Sequence, residues 1–231
     1  MKTIGMIGGM SWESSKLYYE FVNTRVKKVV GGSHSAKCLM VSVDFAKIEE
    51  LTFAGNWDEM GEMMADCAKQ LERGGADIII LCTNTIHLVS DYITNATKIP
   101  FLHIAEATGE AIVSQQLKKV ALLGTRFTME KDFYTKMLTE RFGLEVVIPE
   151  EDERKVIHHI IYSELVLGQF KDTSRDQCLT IIERLQEEGA EGIIMGCTEL
   201  PILIPDSEVD VPTFDTGKIH AEAAVDWALA K

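Results

Sequence analysis

Apolar residues in this chain fall into short unbroken runs, and between the runs they recur three and four positions apart. The runs at 3–7, 38–43, 78–82, 101–103, 119–123, 145–148, 192–195 and 213–214 predict strands. The three-and-four spacing over 57–73 and 174–188 predicts amphipathic helices. Near-continuous apolar strands alternating with helices indicate parallel sheet covered on both faces, hence an α/β fold.

The pattern also repeats. Residues 71–85 (LERGGADIIILCTNT) lie over 185–199 (LQEEGAEGIIMGCTE) without a gap, 114 positions apart. Lys2-Thr3-Ile4-Gly5-Met6-Ile7-Gly8-Gly9 lies over 118–125 at a spacing of 116, and Ile99-Pro100-Phe101-Leu102-His103 over 211–215 at 112. Three matches in one order at nearly equal spacing predict two copies of one α/β unit, each a domain rather than a solenoid repeat. The expected domains are 1–98 with a returning C-terminal helix 213–231, and 99–212. Ligands of such folds bind beyond the carboxyl ends of the strands. Here those ends are Gly8-Gly9, Thr83-Asn84-Thr85, Gly124-Thr125 and Cys197-Thr198-Glu199, all expected to face a crevice between the copies.

Composition narrows the partners. A formal net charge of −13 with no Lys/Arg-rich run disfavours nucleic acid and anionic membrane, though not a small anionic substrate. The chain starts directly on a strand and carries no long apolar segment, so a cytoplasmic location is expected. Five cysteines, an odd number, point to reduced thiols. The Gly5-Met6-Ile7-Gly8-Gly9 turn lacks dinucleotide-binding spacing, and adjacent His158 and His159 diverge on a helix, so neither a nucleotide cofactor nor a metal is expected.

Cys197 is the leading candidate for chemistry. It ends a strand after Gly196 and precedes Thr198-Glu199, where a helix should begin; a helix N-terminus favours thiolate. The repeat places Thr83, not Cys82, opposite Cys197. Strand side chains alternate, so Cys82 is expected to pack into the sheet region while Thr83 enters the site, unless a bulge returns Cys82 to it.

These two segments, Ile80-Leu81-Cys82-Thr83-Asn84-Thr85-Ile86-His87 and Ile193-Ile194-Met195-Gly196-Cys197-Thr198-Glu199-Leu200-Pro201, resemble the two signatures of the aspartate/glutamate racemase family. The resemblance spans the chain, with Gly8-Gly9-Met10, Leu123-Gly124-Thr125 and Ile161-Tyr162-Ser163-Glu164-Leu165 as further landmarks. Members usually carry Cys-Asn-Thr in the first signature, whereas Thr83 stands directly before Asn84-Thr85 here. The resemblance implies two pseudo-symmetric Rossmann-like domains, a homodimer, and racemization of free aspartate or glutamate without pyridoxal phosphate or any other cofactor. It implies Thr83, in place of the usual cysteine, and Cys197 as the proton-transfer pair, and Asn84, Thr85, Thr125 and Thr198 as substrate-binding residues; Met10, after the Gly8-Gly9 turn, is a further substrate-binding candidate, and Glu199, two residues after Cys197, is a candidate for binding the substrate amine or tuning the thiol. His87, one helical turn after Thr83, is a candidate for orienting Thr83 or the substrate. Tyr162 and Glu164 are candidates for approaching the site from the second half, and Lys47, Arg126, Lys171 and Arg175 for holding the distal carboxylate.

A thiol suits proton transfer at an amino-acid α-carbon because its ordinary pKa, about 8.5, is tunable toward neutrality. A threonine hydroxyl is a far weaker acid, so the replacement should break the symmetry; the resemblance implies that the cysteine of the second signature serves the L-isomer, so deprotonation of that isomer through Cys197 is expected to be favoured. Rival readings are a broad-specificity amino-acid racemase; a related maleate isomerase, hydantoin racemase or arylmalonate decarboxylase; a non-catalytic amino-acid-binding protein; and a thiol hydrolase.

Overall fold

The computed structural model describes residues 1–230. It divides into two compact units, one of residues 1–104 with the C-terminal segment from Gly217, the other of Ala105–Thr216. Both are α/β with wholly parallel sheets.

The first unit holds β1 (Ile4–Gly8), α1 (Trp12–Val30), β2 (Cys38–Ser42), α2 (Phe45–Ala54), α3 (Trp57–Arg73), β3 (Ile78–Leu81) and α4 (Ser90–Ala96). Its strand order is β2-β1-β3. Alternation along β3 sorts the core into two faces. Ile79 and Leu81 pack with Met60, Met64, Ala68 and Leu71 of α3, whose spacing puts them on one helical stripe. Ile78, Ile80 and Cys82 pack on the other face with Tyr18, Val22 and Val26 of α1. Each such fully buried apolar side chain contributes roughly 1.5–3 kcal/mol.

The second unit begins within α5 (Ile104–Ser114) and continues through β4 (Lys119–Gly124), α6 (Arg126–Glu130), α7 (Asp132–Phe142), β5 (Glu145–Val147), α8 (Glu151–Ser163), α9 (Asp172–Glu187), β6 (Ile193–Gly196), α10 (Leu200–Leu203) and β7 (Thr213–Asp215). Its strand order is β5-β4-β6-β7. The last helix, α11 (Thr216–Leu229), packs Ala221, Ala224, Val225 and Ala228 against Ile4 and Met6 of the first sheet.

The duplication read from the sequence reappears in the hydrogen bonds. Gly5 pairs with Ile79 and Ala121 with Ile193, the partners that the repeat equates. Gly75 and Gly189, at φ +88° and +93°, turn the chain before β3 and β6 in a backbone region that costs glycine little. The next acidic residue then ties the sheet together. The Asp77 carboxylate accepts the Thr3 N–H at 2.6 Å, and the Glu191 carboxylate accepts those of Lys118 and Lys119 at 2.6 and 3.1 Å.

The unit boundaries fall at 104/105 and 216/217, not at 98/99 and 212/213. Phe101 bridges Ile79 and so belongs to the first sheet, while 213–215 is the edge strand of the second. The strand expected at 101–103 is that single bridge, because the chain enters α5 at Ile104 immediately afterwards. Among the described residues no helix is long and apolar enough to cross a membrane.

Candidate active site

In each unit the strands end in a polar rim. In the first, β1 runs into Gly8-Gly9, where neighbours leave no room for a side chain: a Cβ on Gly9 would lie 2.2 Å from the Val43 carbonyl oxygen, and φ is +92°. The Gly9 N–H donates to Ser15 Oγ at 2.7 Å, and Ser14 Oγ donates to the Cys82 carbonyl at 3.1 Å. Buried Ser14 and Ser15 in the first turn of α1 therefore fasten the β1 turn and the end of β3. Sequence reasoning passed them over. The signal was present in Ser11, whose side chain caps α1 by accepting the Ser14 N–H. Met10 is buried with Ile7, Ile48 and Leu81.

Beyond β3 the Thr83 N–H returns to the Leu81 carbonyl at 2.9 Å in a tight turn about Cys82, whose side chain stays packed against α1. Cys82 is wholly buried and its thiol is pushed far above its ordinary range by desolvation. Thr83 is half-buried, two residues past the end of β3. Asn84 and Thr85 are buried at the start of a short 3₁₀ turn, Thr85–Val89. His87 lies inside that turn, with Nδ1 2.7 Å from the Thr83 carbonyl oxygen.

In the second unit Thr125 caps α6, its hydroxyl oxygen accepting the Thr128 N–H at 3.2 Å. Gly124 and Gly196 are partners across β4 and β6, and a Cβ on Gly196 would lie 2.6 Å from the Leu123 carbonyl oxygen. Only glycine lets β6 end this close to β4, which fixes where Cys197 begins. Cys197 is 8% exposed and extends the face of Ile193 and Met195, covered by α8 and α9. Its Sγ–H donates to Glu199 Oε2 at 3.0 Å, and the Thr198 hydroxyl donates to the same oxygen at 2.7 Å.

The expectation that the helix start would favour thiolate is overturned. Burial raises the Cys197 pKa well above its ordinary value, and the Glu199 carboxylate raises it further. The following helix, α10, is only four residues long, too short for its dipole to offset these effects. Burial also pushes the Cys67 thiol up to about 11 and the Cys178 thiol up to about 12, so acidity does not distinguish the cysteines. What sets Cys197 apart is the carboxylate that accepts its S–H.

Tyr162 is half-buried near the end of α8, its ring 4.8 Å from that of His158. Glu164 is engaged by the Ser174 hydroxyl at 2.6 Å and Lys171 at 3.1 Å, and both lower its pKa. Of the four candidate cations, Lys171 is thus paired, Lys47 meets Glu59 and Glu50 at 3.3 and 3.5 Å, and Arg175 meets Asp172 at 3.1 Å and Glu208 at 3.2 Å. Arg126 is exposed, directly follows Thr125, and among the described residues has no recorded ion pair.

Residues 7–224 match the family model for Asp/Glu/Hydantoin racemase. The broad specificity amino-acid racemase RacX of Bacillus subtilis (strain 168) is 28% identical over 98% of both chains. Among solved structures, a candidate Asp/Glu racemase from Yersinia pestis is 47% identical with a TM-score of 0.93, covering all of both chains. An aspartate racemase homologue from Pyrococcus horikoshii OT3 is 35% identical with a TM-score of 0.87, again covering both chains fully. Two sheets of matched register, rims of hydroxyls and amides at their strand ends, and a match across nearly the whole chain lead to one assignment: this protein is an isomerase belonging to the Asp/Glu/Hydantoin racemase family.

Proposed function

We propose that the protein racemizes acidic amino acids, aspartate or glutamate, without pyridoxal phosphate, drawing one proton-transfer group from each unit. The supporting observation is the Cys197 thiol, seated at the end of β6 and hydrogen-bonded at 3.0 Å to Glu199. The thiol proton passes to the Glu199 carboxylate. The resulting thiolate removes the α-hydrogen of the L-isomer, leaving a carbanion whose charge spreads onto the α-carboxylate. Donors from Asn84, Thr85 and Thr125, with the backbone N–H of Thr198, stabilise that charge as it develops. A thiolate of raised pKa is a strong base, which the weakly acidic α-hydrogen demands, and the substrate ammonium group helps to form it.

Return of the proton to the same face regenerates the L-isomer. Inversion requires protonation on the other face, assigned to the Thr83 hydroxyl; the Thr83 oxygen then regains a proton from water, and Glu199 releases the proton it took from Cys197 to the hydroxide so formed, which restores the starting state. Since a hydroxyl is a poor acid, the intermediate collapses back toward L more often than it inverts. Enantiomers have equal free energy in water, so kcat/KM for racemization is the same in both directions. The bias therefore appears in α-hydrogen exchange, fast for L and slow for D.

Arg126 is the cation assigned to the distal carboxylate. Arg126→Gln is expected to raise KM for aspartate and glutamate about 10- to 100-fold, the worth of a charge-assisted hydrogen bond, while changing kcat little. A panel of amino acids assayed by chiral chromatography, with Cys197→Ala as control, tests both assignments. Turnover restricted to aspartate and glutamate supports the reading. Equal turnover of neutral and basic amino acids contradicts it and favours the second reading, a broad-specificity racemase, to which the similarity to RacX points.

A further inference from the structure

Three imidazoles share one buried corner of the first unit. The His87 ring lies 4.5 Å from that of His103 and 5.7 Å from that of His220, and Phe101 closes the corner at 5.6 Å. His220 spans Tyr18 Oη at 3.0 Å and the Leu102 carbonyl at 2.9 Å, bracing the corner against α1. His87 is 1% exposed, and both of its ring nitrogens are committed to backbone. Nδ1 lies 2.7 Å from the Thr83 carbonyl oxygen, and Nε2 accepts the Ile104 N–H at 3.2 Å.

These partners leave no choice of tautomer. A backbone carbonyl only accepts and a backbone N–H only donates, so both bonds exist together only with the proton on Nδ1 and Nε2 bare. An imidazolium would turn an N–H toward the Ile104 N–H. Burial and the two neighbouring imidazoles hold the ring neutral.

We propose that His87 is a positioning residue that sets the orientation of Thr83. The Thr83 N–H is fixed by the Leu81 carbonyl at 2.9 Å and its carbonyl by His87, so the peptide planes on either side of Thr83 are both pinned. With φ and ψ held, fewer side-chain rotamers are open to Thr83, which narrows the directions its hydroxyl takes. The inference rests on the proposed role of Thr83 in protonating the carbanion.

Two variants divide the roles of the ring. Asparagine places its amide near Nδ1 and keeps a donor for the Thr83 carbonyl, whereas the longer glutamine reaches toward the Nε2 position. In D₂O with L-aspartate or L-glutamate, His87→Gln is expected to lower racemization about tenfold or more while α-deuteration with retention stays within about twofold. His87→Asn is expected to retain the wild-type ratio of the two rates. Equal loss of both rates in His87→Gln, or a wild-type ratio in that variant, overturns the inference. Absence of α-deuteration by the wild-type protein overturns the racemase chemistry itself and the role of Thr83 with it. Should His87→Gln fail to fold, ¹⁵N NMR of the wild-type imidazoles decides: a proton resident on Nδ1 of His87 from pH 5.5 to 8 supports the inference, and a proton on Nε2 or a titrating ring overturns it.

Discussion

Thr83→Cys is expected to raise the racemization rate about 100-fold or more, with the gain shown equally by L- and D-substrates in kcat/KM. Thr83 and Cys197 stand at positions that the internal repeat equates, 114 residues apart, and Cys197 continues the side-chain alternation of Ile193 and Met195. Substitution there exchanges a very weak acid for one whose pKa is within reach of neutrality, and positioned acid–base groups contribute roughly 10²–10⁴-fold. Cysteine is close to threonine in volume and lacks only the γ-methyl, and the position is half-buried, so the fold has little reason to change. Chiral chromatography of both time courses measures the effect. An unchanged rate would mean that Thr83 does not address the substrate. The thiol already present at Cys82 cannot stand in for one at position 83, because it is buried in the α1 face of the sheet.

Cys197→Ala is expected to abolish α-hydrogen exchange, by about 10³-fold or more, while leaving acidic amino acids bound. The variant removes only the sulfur; Thr198 and Glu199 still have the 2.7 Å hydrogen bond between them. Calorimetry measures the retained binding and NMR in D₂O the lost exchange. The dependence on pH carries further information. A thiol of raised pKa deprotonated by solvent would give rates climbing about tenfold per pH unit through neutrality. Internal transfer to Glu199 removes that slope in the wild-type protein, and Glu199→Gln is expected to restore it. Residual exchange in Cys197→Ala near the wild-type rate would assign the base elsewhere.

Much of this arrangement was legible in the chain. The spacing that equates Ile79 with Ile193 marked β3 and β6 as equivalent strands, and each pairs with the first strand of its unit at equivalent residues. The same spacing separated Cys82 from Thr83. Other features depend on tertiary surroundings that periodicity does not carry. The protonation of Cys197 follows from its burial under α8 and α9 and from a carboxylate two residues away, effects that outweigh the local helix start from which thiolate was expected. Ser14 and Ser15 went unread in the sequence, because their partners, the Gly9 N–H and the Cys82 carbonyl, reach them only in the folded chain. His87 was visible as one turn after Thr83, but its second partner, the Ile104 N–H, lies 17 residues away and follows a bridge too short to read as a strand.

The unequal proton-transfer groups are most directly tested by α-deuterium exchange in D₂O, followed separately for the L- and D-isomers of aspartate and glutamate. The predicted result is rapid deuteration of the L-isomer with retention of configuration, outpacing the appearance of D-isomer, and slow deuteration of the D-isomer. Rapid deuteration of the D-isomer with an inert L-isomer would contradict the assignment of Cys197 and Thr83.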